Sequence, residues 1–304
     1  MSQTDRDYYY SPESFRQLNI SFEDDNDVLW LHMKPKGRGC FTVGLLSELK
    51  RYQQGLLKWR GHYYVDQQLV PVKYEVLASE LEGIFNYGGD LELFLRAIKN
   101  NDRDTLLSYG IACIDVVFPN SVNYNLPITT ISLVRGDALG GGLEAALSSS
   151  VVVAERGVNM GFPEIMFGLF PGMGAYSLLT RRVSPSVAKK IISGGQVYSS
   201  EEFYEMGIVD QLAEKGKGIE AVNSFITKHV RHHKGYCAID NVVKQENPVN
   251  YEHLYKVVEL WVETALNLSK KELRVMERLA KAQIQKNTDI VNGETIKENY
   301  TKAS

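Results

Sequence analysis

Apolar residues recur with two periods along this chain, every second position in short stretches and every three or four positions in longer ones. Residues 28–33 read as a strand that stops ahead of the turn-forming Pro35-Lys36-Gly37. Leu45, Leu46 and Leu49 give residues 43–53 a helical stripe. Val72, Tyr74, Val76 and Ala78 alternate, which predicts a strand over 72–78. The run Asn86-Tyr87-Gly88-Gly89-Asp90 interrupts that pattern, and helical spacing resumes over 91–99 and again over 109–117. Residues 129–134 alternate as a strand and end at Arg135-Gly136. Leu139-Gly140-Gly141-Gly142 then leads into a helix over 143–149. Residues 150–154 form a short apolar strand of the kind buried on both faces.

Strands alternating with helices predict an α/β fold with crossover connections. From 257 to 283 the pattern becomes almost purely helical, with Val257, Trp261, Ala265 and Leu268 on one stripe. The expected organisation is an N-terminal arm (1–20), an α/β core (21–215), a C-terminal helical region (216–287) and a polar tail (288–304).

Composition narrows the class. Of 304 residues 44% are hydrophobic and 23% charged, which excludes a disordered chain. A net charge of −3 offers no basic excess for nucleic acid or an anionic membrane. The apolar runs are too short to span a bilayer, and the polar start MSQTDRDYYY lacks the apolar segment of a secretory signal. The three cysteines, Cys40, Cys113 and Cys237, are odd in number and far apart, so neither a disulfide framework nor a cysteine-based metal site is expected. These features predict a cytoplasmic globular protein without metal or cofactor.

Two glycine-rich turns carry the candidate chemistry. Glycine lets a ligand approach the backbone closely, and the second turn opens a helix whose first N–H groups are unsatisfied donors. Side by side, two such turns can aim N–H groups at one oxygen, forming an oxyanion hole; each can equally be a tight strand-to-helix turn. Neither is a phosphate loop or a dinucleotide fingerprint, and no Gly-x-Ser-x-Gly elbow is present. Glu144 falls in the first turn of the predicted helix, where a carboxylate also simply complements the dipole. Glu164 lies in the largely apolar stretch Gly161-Phe162-Pro163-Glu164-Ile165-Met166, either turned to solvent or held dry with a raised pKa. His229, His232 and His233 have metal-face spacing, but flanking cations favour a solvated basic helix end. Met173 and Trp261 suit either the core or the lining of a ligand cavity.

Taken together, Leu139-Gly140-Gly141-Gly142-Leu143-Glu144, Phe162-Pro163-Glu164 and Pro171-Gly172-Met173-Gly174 resemble the crotonase (enoyl-CoA hydratase/isomerase) superfamily. Asn86-Tyr87-Gly88-Gly89-Asp90-Leu91, Gly172-Met173-Gly174-Ala175-Tyr176-Ser177 and Glu259-Leu260-Trp261-Val262 are most similar to its diffusible-signal-factor (Rpf-type) synthases. The resemblance implies a superhelix of ββα units followed by C-terminal helices that assemble trimers or hexamers. It implies Glu144 and Glu164 as catalytic carboxylates and the N–H groups of Tyr87, Gly88 and Gly141 as the oxyanion hole. Gly140, Met173, Trp261 and Leu279 would contact the acyl group. The implied activity is dehydration of a 3-hydroxyacyl thioester on acyl carrier protein, then hydrolysis to a free cis-2-enoic quorum-sensing signal, with a cognate sensor protein as partner. A conventional hydratase acting on acyl-CoA, or a non-catalytic scaffold for a sensor, are the alternatives. The chain departs from hydratases at Asn86-Tyr87, where they carry Ala or Ser, and in a longer segment at 54–68.

Overall fold

The computed structural model describes residues 15–65 and 68–291, with side chains described as far as residue 283. Leu18, Ile20 and Phe22 alternate with polar residues and form β1 (Leu18–Glu23), antiparallel to β2 (Val28–Met33). The expected arm is thus corrected at its inner end, because the chain has already joined the sheet at Leu18 and buries Phe15. Helix α1 (Val43–Lys58) starts at Thr42, whose hydroxyl accepts the Leu45 N–H, and runs past residue 53 because Leu56 continues its buried stripe. The longer segment at 54–68 is the end of this helix and the hairpin β3 (His62–Val65) and β4 (Gln68–Pro71).

Three strand–strand–helix passes follow. The first is β5 (Tyr74–Ser79), β6 (Ile84–Asn86), α2 (Leu91–Lys99) and α3 (Arg103–Ser121). Asp90 and Asp102 cap these two helices, and α3 therefore starts well before residue 109. The second pass is β7 (Thr129–Val134), β8 (Asp137–Leu139) and α4 (Gly141–Ser148). The third is β9 (Val151–Glu155), β10 (Asn159–Gly161), a 3₁₀ turn at Pro163–Phe167, α5 (Ala175–Leu179) and α6 (Pro185–Gly194). Then come β11 (Val197–Ser199), α7 (Ser200–Glu205), β12 (Gln211–Ala213), α8 (Gly218–His229) and α9 (His233–Glu246). The C-terminal stripe is two helices, α10 (Tyr251–Leu266) and α11 (Lys270–Val291), broken at Asn267.

The long strands make a six-stranded sheet in the order β1-β2-β5-β7-β9-β12, parallel except for β1. The short strands make a second sheet, β11-β10-β8-β6, so each pass contributes one strand to each sheet. Every residue of β7 and β9 is buried, because α3 and α4 cover one face of the first sheet while Val222 and Ile226 of α8 cover the other. Helix α10 packs on α3, and α11 packs on α2 and on the Pro163–Phe167 turn. Exposed ion pairs, Arg103–Glu263 at 2.8 Å and Lys99–Glu277 at 2.6 Å, link the same helices. No helix among the described residues is long and apolar enough to cross a membrane.

Candidate active site

The second sheet delivers both glycine turns to one place. Beyond β6, Gly88 takes φ +83°, and a Cβ on it would stand 2.6 Å from the Gly141 nitrogen. The turns therefore touch backbone to backbone, with no room for a side chain between them. Gly141 is the first residue of α4, where a helix offers an N–H that no residue within it can accept.

One turn along α4, Glu144 is 1% exposed, and its Oε1 accepts the N–H groups of Met173 and Ala175, each at 2.8 Å. Burial pushes its carboxyl up to about 7, against the opposing pull of those backbone hydrogen bonds. Glu164 belongs to the Pro163–Phe167 turn and lies against Gly140. As a residue it is only partly covered, yet its Oε2 is buried without a hydrogen-bond partner among the described residues. Burial first, and the neighbouring Glu144 charge second, push Glu164 up to about 8. Two dry carboxyls near each other resist holding two negative charges, so near neutral pH one can accept a proton while the other donates one.

Both carboxyls face a cavity of about 110 Å³ that includes all four expected acyl contacts, Gly140, Met173, Trp261 and Leu279. Trp261 meets Phe94 edge to face, with ring centroids 4.8 Å apart. Sequence reasoning missed Phe94, Tyr109, Cys113 and Gln283, which also line this space. Tyr109 and Cys113 fall within the helical spacing of 109–117, which marks a buried face and not a ligand, and Gln283 stands at the end of the helical pattern of 257–283. Tyr109 braces the first turn, since its hydroxyl accepts the Asp90 N–H at 3.0 Å and donates to the Phe41 carbonyl at 2.5 Å. Burial pushes the Cys113 thiol well above its ordinary range, which leaves it a poor nucleophile.

Two of the three expected oxyanion donors are engaged elsewhere. The Tyr87 N–H donates to the Gly39 carbonyl at 2.7 Å, and the Gly88 N–H donates to Asn86 Oδ1 at 2.7 Å. For Gly88 the physical reason is Asn86, whose side chain folds over its own turn in an Asx arrangement that Ala cannot make, while Tyr87 is held by the main chain of the neighbouring loop. Gly141 keeps its first-turn position. The histidine run also divides: His233 is buried against the Tyr74 ring, at 4.8 Å between centroids, rather than solvated with its neighbours. Among the described residues no group of three His, Cys, Asp or Glu side chains is arranged to hold a metal ion.

The ββα passes thus bring two glycine turns backbone to backbone beside a dry carboxylate pair. The chain belongs to the enoyl-CoA hydratase/isomerase family, which it matches over residues 70–238. It is 31% identical to human mitochondrial methylglutaconyl-CoA hydratase over 212 residues, 68% of this chain and 60% of that protein. It thus spans less than two thirds of that relative's length. Its fold superposes on enoyl-CoA hydratase from Bacillus halodurans with a TM-score of 0.70 at 18% identity, covering 87% of this chain and 100% of that one. It likewise resembles Pseudomonas aeruginosa DspI, with a TM-score of 0.64 at 20% identity over 78% of this chain and 90% of that one. The architecture is the crotonase fold, as the sequence resemblance implied.

Proposed function

We propose that the protein dehydrates a medium-chain 3-hydroxyacyl thioester, carried on acyl carrier protein, to the cis-2-enoyl thioester and then hydrolyses it, as a diffusible-signal-factor synthase does. The observation that carries this reading is the lining of the cavity: apart from Glu144 and Glu164 it is apolar or uncharged, with no Lys, Arg or His among the described residues. A methylglutaconyl group, the substrate named for the human relative, ends in a carboxylate. That carboxylate would be buried beside two acidic groups without a cation, at a large desolvation cost. An alkyl tail meets no such penalty.

In the first step one Glu takes a proton from C2 and the other protonates the departing C3 hydroxyl, releasing water, while the hole stabilises the enolate oxygen. In the second step a Glu activates water against the carbonyl, and the carrier leaves as its thiol. Oligomer formation accords with the outer face of α9, where Ile239 is 67% and Val242 59% exposed. A cognate sensor protein is expected from the resemblance alone.

A second reading, a conventional hydratase on acyl-CoA, is favoured by the identity to the human enzyme. Purified protein incubated with 3-hydroxyacyl carrier protein and, separately, 3-hydroxyacyl-CoA decides between them by mass spectrometry. Free cis-2-enoic acid supports the synthase. A trans-enoyl-CoA without free acid supports the hydratase, and no turnover of either leaves a scaffold.

A further inference from the structure

Helix α11 presents two unlike faces. Its inner face lines the acyl cavity through Leu279 and Gln283, with Met276 and Ala280 buried on the same side. On its outer face the exposed positions between residues 270 and 283 are Lys270, Lys271, Arg274, Arg278 and Lys281, all of them cations. We propose that this row docks a protein, an acyl carrier with an acidic helical face that delivers its chain to the cavity beneath. The inference rests on the proposed carrier-bound substrate and adds the place where the carrier sits.

The charge is local. The chain as a whole carries −3, yet residues 270–283 hold five Lys and Arg against two Glu. Both acids are committed: Glu272 Oε2 accepts the Ser269 N–H at 2.7 Å, and Glu277 pairs with Lys99 of α2 at 2.6 Å. None of the five cations is ion-paired among the described residues. Lys271, Arg274, Arg278 and Lys281 stand three, four and three positions apart, so one side of the helix carries them in line. Like charges at this spacing repel and weaken a helix, a cost that an acidic partner relieves. At a rise of 1.5 Å per residue the row runs about 15 Å, the length of two to three turns of an opposing helix with acids at the same spacing. A lone phosphate would engage only part of it.

Beside the row, α11 packs on the Pro163–Phe167 turn, where Ile165 is 46% and Met166 54% exposed. That turn carries Glu164 and contributes Phe167 to the cavity wall. Cations that steer and orient, next to an apolar pair that can be covered, suit a transient protein contact at the cavity's own wall.

Three probes with one shared arm test the proposal: a 3-hydroxyacyl amide of pantetheine, the same amide on CoA, and the same amide on acyl carrier protein. In each, NH replaces the thioester sulfur, so binding is read without turnover. Arg274→Glu combined with Arg278→Glu reverses two exposed charges, and Arg274→Gln with Arg278→Gln is the milder pair. Calorimetry should show carrier affinity falling about tenfold or more on reversal and by a smaller factor on neutralisation. The pantetheine and CoA probes should bind as they do to the unmodified protein, and carrier affinity should fall as salt is raised. Carrier affinity that is absent in the unmodified protein, or unchanged by reversal, overturns the proposal. An equal loss for the CoA probe overturns it in favour of a nucleotide-phosphate contact, and a changed oligomer by light scattering in favour of a contact between copies. Turnover of the 3-hydroxyacyl-pantetheine thioester by unmodified protein is measured alongside, so failure of the proposed reaction is seen separately from failure to dock the carrier.

Discussion

Glu144 Oε1 holds the Met173 N–H at 2.8 Å, so a candidate catalytic carboxylate also fastens the loop that walls the acyl cavity. Its two roles separate by substitution. Glu144→Gln keeps an acceptor oxygen for Met173 and Ala175 and loses only the titrating group. It should fold normally and lose about 10²- to 10⁴-fold in turnover. Glu144→Ala also strands two buried N–H groups and should cost about 1–3 kcal/mol for each. Thermal melting beside turnover of both variants checks this; a Glu144→Gln protein with near-normal rate removes Glu144 from the chemistry.

The pH dependence follows from the pair. Catalysis requires one carboxyl ionised and one protonated, so the rate should fall below about 7 and again above about 8. Stability has the opposite sign from an ordinary ion-paired acid. Both groups hold protons in the folded state that the unfolded chain releases near 4.5, so folded stability is lost as pH rises from there through the folded values. Glu164→Gln should therefore raise the melting temperature at pH 8 and bring no gain near pH 4.5. A gain that is constant across this range would show that Glu164 is not held dry.

The glycines of the second turn should respond unequally. A Cβ on Gly141 would meet Met173 Sδ at 2.7 Å, a flexible neighbour that can swing aside. A Cβ on Gly142 would strike the Asn86 carbonyl, which is backbone and cannot. Gly142→Ala should force the two turns apart and remove most activity, at a cost of about 2.7–4 kcal/mol in the barrier if one oxyanion donor is lost. Gly141→Ala should keep more of it. The two kcat/KM values, compared in folded protein, decide; equal losses would contradict the contact.

Trp261 closes the cavity against Phe94. Trp261→Leu should deepen the apolar space and shift the product distribution toward longer chains when mixed 3-hydroxyacyl carrier proteins compete. A uniform loss at every length would return Trp261 to a packing role alone.

Much of this arrangement was legible in the sequence because the signals were local. Thr129–Val134 and Leu91–Lys99 each complete their periodic pattern within their own ends. Glu144, Glu164 and the glycine turns were marked by motif, and the sheet brings them together. What sequence reasoning could not see depended on distant partners. β1 is stabilised by pairing with β2, so its short alternation at the edge of a polar arm was overlooked. Asn86 stands out in the sequence as a departure from the Ala or Ser of hydratases, but only the turn's geometry shows its amide oxygen taking the Gly88 N–H. Tyr109 lies nineteen positions from Asp90, which it braces, and no period reports such a bond.

The central claim is that this cavity removes a proton from C2 of a 3-hydroxyacyl thioester. A substrate carrying two deuteria at C2 tests it directly. The account predicts a released 2-enoic acid that retains one deuterium, formed more slowly than from unlabelled substrate and absent with Glu144→Gln or Glu164→Gln. A released 3-hydroxy acid that retains both deuteria would reduce the protein to a thioesterase and contradict the account.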